Sequence, residues 1–148
     1  LSGRRINDNM GAFVTQHTFK TMASAGIVTV DSRVTVLGLT FKEDCPDLRN
    51  SKVPDIISYL NSYGCNVQIH DPWCDPEEAW NEFGIKLCSE NELQPASALV
   101  LAVSHLLYRE WELDQWQNLL KPGGIVVDVK NIVPGRELWQ KGHRVWSL

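Results

Sequence analysis

Residues 36–51 read VLGLTFKEDCPDLRNS, and this stretch decides how the chain folds. It starts within an apolar, β-branched segment at 33–39, a pattern typical of a strand that is covered on both faces in a parallel sheet. A loop dense with charge follows, and Ser51 can then cap a helix whose first turn tolerates Pro54. The stretch therefore predicts a buried strand, a charged loop and a helix in succession.

The same alternation of strands and helices continues along the sequence. The helix that Ser51 caps is predicted to end at Gly64, and a strand at 66–70 completes a strand-helix-strand crossover. Further strands are predicted at 85–87, 97–103, 125–129 and 143–146, and further helices at 75–83, 113–120 and 136–141. We therefore predict the α/β class, with a three-layer, Rossmann-like, open and mostly parallel sheet that one N-terminal helix at 6–25 precedes.

Composition and charge exclude several classes of protein and of binding partner. The formal net charge is -4 and the two signs are interspersed, which argues against nucleic acid or an anionic membrane surface as a partner. The longest apolar run, 98–103, is far shorter than the roughly 20 residues of a membrane-spanning helix. The four cysteines form no C-x-x-C pair, so neither a metal site nor a disulfide scaffold is expected. These features predict a soluble, cytoplasmic protein with free thiols.

The charged loop after the first strand is the first candidate for a ligand site, because ligands of such sheets bind at the carboxyl ends of strands. Lys42 follows the strand and can reach a phosphate as a point charge, and Arg49 can make bidentate contacts near the helix N-terminus. On spacing alone, solvated loop charges explain the two residues equally well. Gly38 is the only glycine of this turn, so G-x-G-x-x-G is missing and the loop is not built for the pyrophosphate of NAD.

Other polar residues have an ordinary structural explanation that we favour. Asp71 stands where a dinucleotide fold keeps its ribose-binding acid, but Asp71-Pro72 is also a common turn opener. Cys45 lies beside two aspartates, whereas a nucleophilic cysteine needs an electropositive environment. His105 has no evident partner acid, which favours packing at the start of a helix. The six tryptophans are more often core or interface residues than stacking platforms, and no catalytic residue is predicted.

A resemblance to a known family makes the prediction specific. The residues VLGLTFKEDCPDLRNSK, a helix and then GCNVQIHDPW at 64–73 resemble the C-terminal, UDP-binding domain of the UDP-glucose/GDP-mannose dehydrogenase family. The wordings DCPDLRNS and VVDVKNIV resemble the branch that oxidises UDP-N-acetylhexosamines, and GRRINDNMGAFV resembles the end of the central helical region. The resemblance implies that residues 1–28 end the central helical, dimerising region and that residues 29–148 form the UDP-sugar-binding domain.

The same resemblance implies the activity and the site. The family oxidises the C6 alcohol of a UDP-sugar to a uronic acid with two NAD molecules and a catalytic cysteine, and this chain has neither that cysteine motif nor the NAD fingerprint. By resemblance, Phe41, Lys42 and Lys130 contact the substrate, and Arg49 reaches NAD that the N-terminal domain binds. The chain is then expected to bind the UDP-sugar without being catalytically competent by itself.

The implied partners follow from this assignment. They are the UDP-sugar substrate, the remainder of the same polypeptide and, in the full-length form, further copies in a homo-oligomer. The implied pathway is the biosynthesis of a bacterial polysaccharide, either capsule or O-antigen.

Two other functions stay open at this stage. An isolated α/β domain can be a free-standing nucleotide-binding or regulatory module without catalysis, and the complete open reading frame would distinguish it from part of a dehydrogenase. A purely structural role in oligomerisation is less favoured. The helix at 6–25 and the number of tryptophans are the features that suggest it.

Overall fold

The computed structural model of the chain describes residues 9–148. The helix predicted at 6–25 is present as α1, and its predicted start at 6–8 lies outside the described residues. In chain order the elements are α1 (Met10–Ser24), β1 (Arg33–Leu37), α2 (Val53–Ser62), β2 (Asn66–His70), α3 (Pro76–Phe83), a 3₁₀ turn (Glu90–Glu92), β3 (Ala96–Leu101), α4 (Leu106–Arg109), α5 (Leu113–Asn118), β4 (Leu120–Asp128), α6 (Gly135–Gln140) and β5 (Val145–Ser147).

The strands of the described chain form one sheet in the order β2-β1-β3-β4-β5, and every pairing between them is parallel. The first crossover leads from β1 to β2 on one side, and the chain then returns to place β3 on the other side of β1. The order therefore reverses between β1 and β3, and such a switch point leaves a crevice at the carboxyl ends of the two strands. The predicted α/β, Rossmann-like class is confirmed.

Helices cover both faces of the sheet and make it the middle of three layers. Val34 and Val36 of β1 face a core that α1, α2 and α3 close, whereas Leu37 faces a second core with α5 and α6. In the central strand β3, Leu99 of one face and Val100 of the other have no exposed surface, as a strand covered on both faces requires. Burial of each such side chain contributes roughly 1.5–3 kcal/mol, so the two cores hold the sheet in place.

Three segments differ from the sequence prediction. The predicted turn at 121–124 lies within β4, because β4 pairs with β3 from Leu120 onward across an irregularity in the register. The predicted strand at 85–87 is reduced to one bridge between Ile69 and Leu87. The predicted helix at 113–120 ends at Asn118, where the chain enters β4.

Helix α1 packs onto the sheet and onto α2. Val14 and Met22 lie in the same core as β1, and a side chain at Gly11 would bring its Cβ within 2.7 Å of the Cβ of Asp55. On the other side of α1, the ring of His17 stacks on Trp146 of β5 at a centroid distance of 4.2 Å. The helix is thus held at two places, and the predicted division at residue 28 stays a prediction.

Candidate functional site

A cleft of about 400 Å³ opens at the carboxyl edge of the sheet, beside the switch point between β1 and β3. Its size lies in the range of small-molecule sites in proteins. Apolar side chains of α1, of α2 and of the segments that follow β3 and β4 form its floor, and Thr40, Lys52 and Lys130 contribute polar atoms. The lining residues are Met10, Val14, Thr40, Phe41, Asn50, Lys52, Val53, Ile56, Ala102, Val103, Val129 and Lys130.

The segment 38–52, which we call the β1 loop, forms one side of this cleft. It leaves the sheet through Gly38, whose φ is +95° and where a Cβ would lie 2.5 Å from the Cβ of Val103. Asp44 and Asn50 adopt left-handed φ values of 55° and 66°, which asparagine and aspartate tolerate better than other side chains. The loop therefore has a defined but intrinsically unfavourable backbone, and contacts from elsewhere must hold it.

The buried carboxylate of Asp71 supplies the first of these contacts. Its Oδ1 accepts the amides two and three residues further along at 2.7 and 3.0 Å, and these bonds confirm the predicted turn. Its Oδ2 accepts the amides of Leu39 and Thr40 at 2.6 and 3.0 Å. Burial raises the pKa of Asp71, but the hydrogen bonds from His105 and from these two amides outweigh it and lower the pKa from 3.8 to about 2. Asp71 is thus a structural anion for the loop and not a free ribose-binding acid.

His105 extends this network into the middle of the β1 loop. The side chain is fully buried, its Nε2 lies 2.9 Å from Oδ2 of Asp71, and its Nδ1 accepts the amide of Asp44 at 2.9 Å. Because a backbone N–H can only donate, the hydrogen of the ring lies on Nε2 and is donated to Asp71. Both nitrogens are occupied. His105 is buried and precedes α4, as predicted, but the expectation that it has no partner acid was wrong, because Asp71 lies within hydrogen-bond distance of its ring.

The side chain of Asp44 fastens the same loop to α4. Oδ1 accepts the amide of Leu106 at 2.8 Å, and Oδ2 lies 2.9 Å from Nη2 of Arg109. The Arg109 side chain is 41% exposed, and an ion pair at such a position contributes only about 0–1 kcal/mol. The backbone of the loop therefore depends more on the buried histidine than on this surface pair.

The structure brings two of the four predicted ligand residues into the cleft. Phe41, which is 51% exposed, and Lys130 both line it. Lys42 is exposed on the β1 loop next to Phe41 but does not line the cleft. The side chain of Arg49 is 88% exposed and lies 3.5 Å from Oδ1 of Asp47. The contacts of all four with a ligand stay predictions.

Lys52 is a candidate that the sequence interpretation missed. It lines the cleft as the residue before α2, at the position expected for Ser51. Ser51 still accepts the amide of Val53 at 3.2 Å and donates to the carbonyl of Leu39 at 2.6 Å. A lysine at a predicted helix start beside a ligand loop was a usable signal, but only the fold shows that it shares a cleft with Lys130.

The cysteines of the described chain are free thiols, and the two buried ones are poor nucleophiles. Burial raises the pKa of Cys65, and burial together with Asp71 and two nearby acids raises the pKa of Cys74 to about 12. Within residues 9–148 no group of three or more His, Cys, Asp or Glu side chains is arranged to hold a metal ion. No helix in the described part is long and apolar enough to cross a membrane.

An open parallel sheet with a cleft at its switch point defines the class of Rossmann-like, nucleotide-binding α/β domains. The sequence identifies the family within this class. Residues 35–135 match the UDP binding domain of the UDP-glucose/GDP-mannose dehydrogenase family, and the chain belongs to that family.

Curated relatives agree with this assignment and are longer. The chain is 43% identical to Protein CapL of Staphylococcus aureus over 148 residues, which are 100% of this chain and 34% of that protein. It is 38% identical to UDP-N-acetyl-D-glucosamine 6-dehydrogenase of Salmonella typhi over 93% of this chain and 32% of that protein. The chain thus spans about a third of the length of these relatives.

Solved structures show the same fold. NDP-N-acetyl-D-galactosaminuronic acid dehydrogenase from Methanosarcina mazei Go1 superposes with a TM-score of 0.86 at 24% identity, over 97% of this chain and 30% of that one. The UDP-N-acetyl-mannosamine dehydrogenase Cap5O from Staphylococcus aureus gives a TM-score of 0.70 at 23% identity, over 98% and 32% of the two chains. At these identities the likeness concerns the fold.

Proposed function

We propose that this chain is the UDP-sugar-binding, C-terminal part of an NAD-dependent dehydrogenase that oxidises the C6 alcohol of a UDP-N-acetylhexosamine to a carboxylate. The cleft at the switch point, with its apolar floor and its lysines, is the observation that carries the proposal. The names of the relatives, among them a UDP-N-acetyl-D-glucosamine 6-dehydrogenase, support the substrate class. We place this enzyme in the cytoplasm and in the synthesis of capsule or O-antigen polysaccharide, as the family resemblance implies.

The charges around the cleft fit a nucleoside diphosphate. Lys52 and Lys130 line it and Lys42 is exposed beside it, whereas the chain as a whole carries a net charge of -4. An anionic ligand must therefore be attracted locally, and lysines supply compact point charges for a phosphate. The half-exposed ring of Phe41 offers a flat apolar surface on which the uracil or the sugar can pack.

Backbone amides contribute little to phosphate binding at this edge. The Leu39 and Thr40 amides, which follow β1, already donate to Asp71. At the start of α2 the Val53 amide donates to Ser51, and Pro54 has no N–H. These positions therefore offer no free amide, and we assign the phosphates of the ligand to the lysine side chains.

The same observation limits how NAD can be bound. A dinucleotide fold holds the pyrophosphate on free amides at the end of its first strand, and here those amides are occupied by a carboxylate. The turn after β1 therefore does not fit NAD's pyrophosphate. We assign to Arg49, whose side chain points into solvent, a contact with NAD that another part of the enzyme holds.

Titration of the isotope-labelled chain with UDP, followed by NMR, tests the proposal. We expect shifts at the amides of residues 41–49 and 130, and weaker or no shifts with uridine, which lacks the phosphates. Lys52→Ala and Lys130→Ala should each weaken UDP binding about tenfold, the effect of losing about 1.4 kcal/mol. Lys121→Ala, an exposed lysine at the opposite end of β4, is the matched control and should bind as the wild type does.

A complete lack of shifts with millimolar UDP would contradict the proposed function. A free-standing nucleotide-binding module shares the cleft and predicts the same shifts. The complete gene distinguishes the two, because a dehydrogenase also needs an NAD-binding domain and a cysteine-bearing region.

A further inference from the structure

We propose that His105 is the positioning residue of the ligand site, which holds the β1 loop in the conformation that presents Phe41 and Lys42 to the UDP-sugar. The inference rests on the proposed function, because the β1 loop needs this conformation only if the cleft binds a UDP-sugar. The ring nitrogens of His105 contact Thr40, Asp44 and Asp71, and of these three residues only Thr40 lines the cleft. His105 therefore acts through the backbone of the loop and not on the ligand.

Three other parts of the fold hold the β1 loop: Asp71 after β2, His105 after β3, and α4, to which the Asp44 side chain is bound. Asp71, at the end of β2, binds the two amides at the base of the loop, and Ser51 binds the carbonyl of Leu39. His105, after β3, binds the amide of Asp44, which lies in the middle of the loop. Removal of His105 would therefore free the backbone of Asp44 and leave the centre of the loop attached only through the Asp44 side chain, while its base stays attached.

The centre of the loop needs such a restraint. Asp44 has a φ of 55°, and a left-handed backbone at a residue other than glycine costs on the order of 1 kcal/mol. Within the loop, the amide of Phe41 donates to the carbonyl of Asp47 at 2.8 Å, and Oγ1 of Thr40 donates to the carbonyl of Lys42 at 3.2 Å. These two bonds close the ends of a short turn, but neither fixes Asp44 itself. The side chain of Asp44 is bound to α4 at the surface, and its backbone amide is held by the buried bond to His105.

The pattern of hydrogen bonds also explains why a histidine is needed. The position requires one acceptor, for the Asp44 amide, and one donor, for the Asp71 carboxylate. A neutral imidazole offers both on one rigid ring, whereas an aliphatic side chain of similar volume offers neither. A residue that only filled space beside Tyr108 would be replaceable by leucine without effect on the loop.

The test compares His105→Leu, His105→Gln and a matched control, His143→Leu. His143 is also buried and hydrogen-bonded, but to the carbonyl of Gly124 near the opposite edge of the sheet. We expect His105→Leu to weaken UDP binding about tenfold, because only about a tenth of the molecules would keep the loop in the binding conformation. Glutamine has an acceptor and a donor, so His105→Gln should restore most of the affinity. His143→Leu should lose stability and keep its affinity.

Hydrogen exchange in the ligand-free chain supplies a readout that does not depend on binding. The Asp44 amide should exchange faster in His105→Leu than in the wild type, while the Leu39 and Thr40 amides keep most of their protection. If His105→Leu does not fold, His105→Asn replaces it, because its shorter amide cannot span both partners. That variant should weaken UDP binding severalfold.

Two results separate the failure of this inference from that of the proposed function. If His105→Leu binds UDP as tightly as the wild type, or the glutamine variant fails to recover any affinity, the inference is overturned and the UDP site stands. If the wild-type chain itself does not bind UDP, the proposed function fails, and the exchange of the Asp44 amide still decides whether His105 holds the loop.

Discussion

The β1 loop and the β4 loop, which we define as residues 129–134, are anchored in different ways. Both follow buried strands at the same edge of the sheet, both carry a lysine, and a buried aspartate holds each of them. In the β4 loop, Asp128 accepts the amides of Asn131 and Val133 at 2.7 and 2.8 Å, so the last residue of the strand holds the turn that follows it. In the β1 loop, the buried anchors are Asp71 and His105, which follow β2 and β3.

At one edge of the sheet, the β4 loop is thus held by a residue next to it in the sequence, and the β1 loop by residues far from it in the sequence. The β4 loop can form as soon as its own residues are in place. The β1 loop needs β1, β2 and β3 to be assembled, because its anchors are separated from it by whole elements. We infer that the site is completed only when the sheet is, and the following predictions test this contrast.

The largest expected effect is that of removing the two aspartates. Asp71→Ala leaves the Nε2–H of His105 and four amides without their acceptor in a buried place, and the expected loss of unfolding free energy is about 3–5 kcal/mol. Asp128→Ala leaves two amides, and about 1–3 kcal/mol is expected. Urea denaturation measures both values. Equal losses of unfolding free energy in the two variants would show that Asp71 stabilises the fold no more than Asp128 does.

A smaller effect is expected where the chain leaves β1. In Gly38→Ala the new methyl group would lie 2.5 Å from the Cβ of Val103, and the backbone is in a region that suits glycine. Overpacking and the unfavourable φ together should cost about 3 kcal/mol. Gly123→Ala is the matched control, because its φ is +77° but nothing lies within 4 Å, so only about 1 kcal/mol is expected. Thermal or urea denaturation that gave the two variants the same stability would argue against the close contact with Val103.

The pH dependence of stability should report the charge of Asp71. Its pKa is lowered from 3.8 to about 2 in the folded chain, so its carboxylate stabilises the fold fully above pH 3.8 and loses this effect as the pH falls through about 2. The contribution is about 2 kcal/mol. Denaturation of the wild type and of Asp71→Asn at several pH values should show a difference that shrinks by this amount on acidification. A difference that does not change with pH would contradict the assignment.

The smallest effect is expected at the left-handed asparagine of each loop. Asn50 and Asn131 have φ values of 66° and 64°, which glycine adopts without strain. Asn50→Gly and Asn131→Gly should each change the unfolding free energy by less than about 0.5 kcal/mol. A larger loss at Asn50 alone, measured by urea denaturation, would show that its side chain makes a contact that the β4 loop lacks.

The sequence predicts much of this fold because the strands have local signals. The strand predicted at 66–70 is observed at Asn66–His70, and the apolar segment at 33–39 contains β1. The prediction fails where a distant partner decides the structure. Segment 121–124 contains proline and glycine, which favour a turn. The pairing of Leu120 with Ala96 nevertheless places this segment inside β4.

The candidate site shows the same limit. The Asp-Pro pair predicts the turn that Asp71 opens. It does not predict the bonds of Asp71 to the amides of Leu39 and Thr40, which precede it by 32 and 31 positions. His105 has no local partner, since Asp44 and Asp71 are 61 and 34 positions away. Physical signals within a few residues cannot encode such contacts, which arise only from the crossing order of the strands.

Helix α1 has a consequence for the cleft that follows from its packing. Met10 and Val14 line the cleft, so the cavity has its observed shape only while α1 is docked on the sheet. A ligand that contacts both surfaces and the docking of α1 are then thermodynamically linked, and each favours the other by the same free energy. The contact between Gly11 and Asp55 sets how closely the helix can approach. The position of one helix thereby sets the shape of the cleft, and with it the affinity for a ligand.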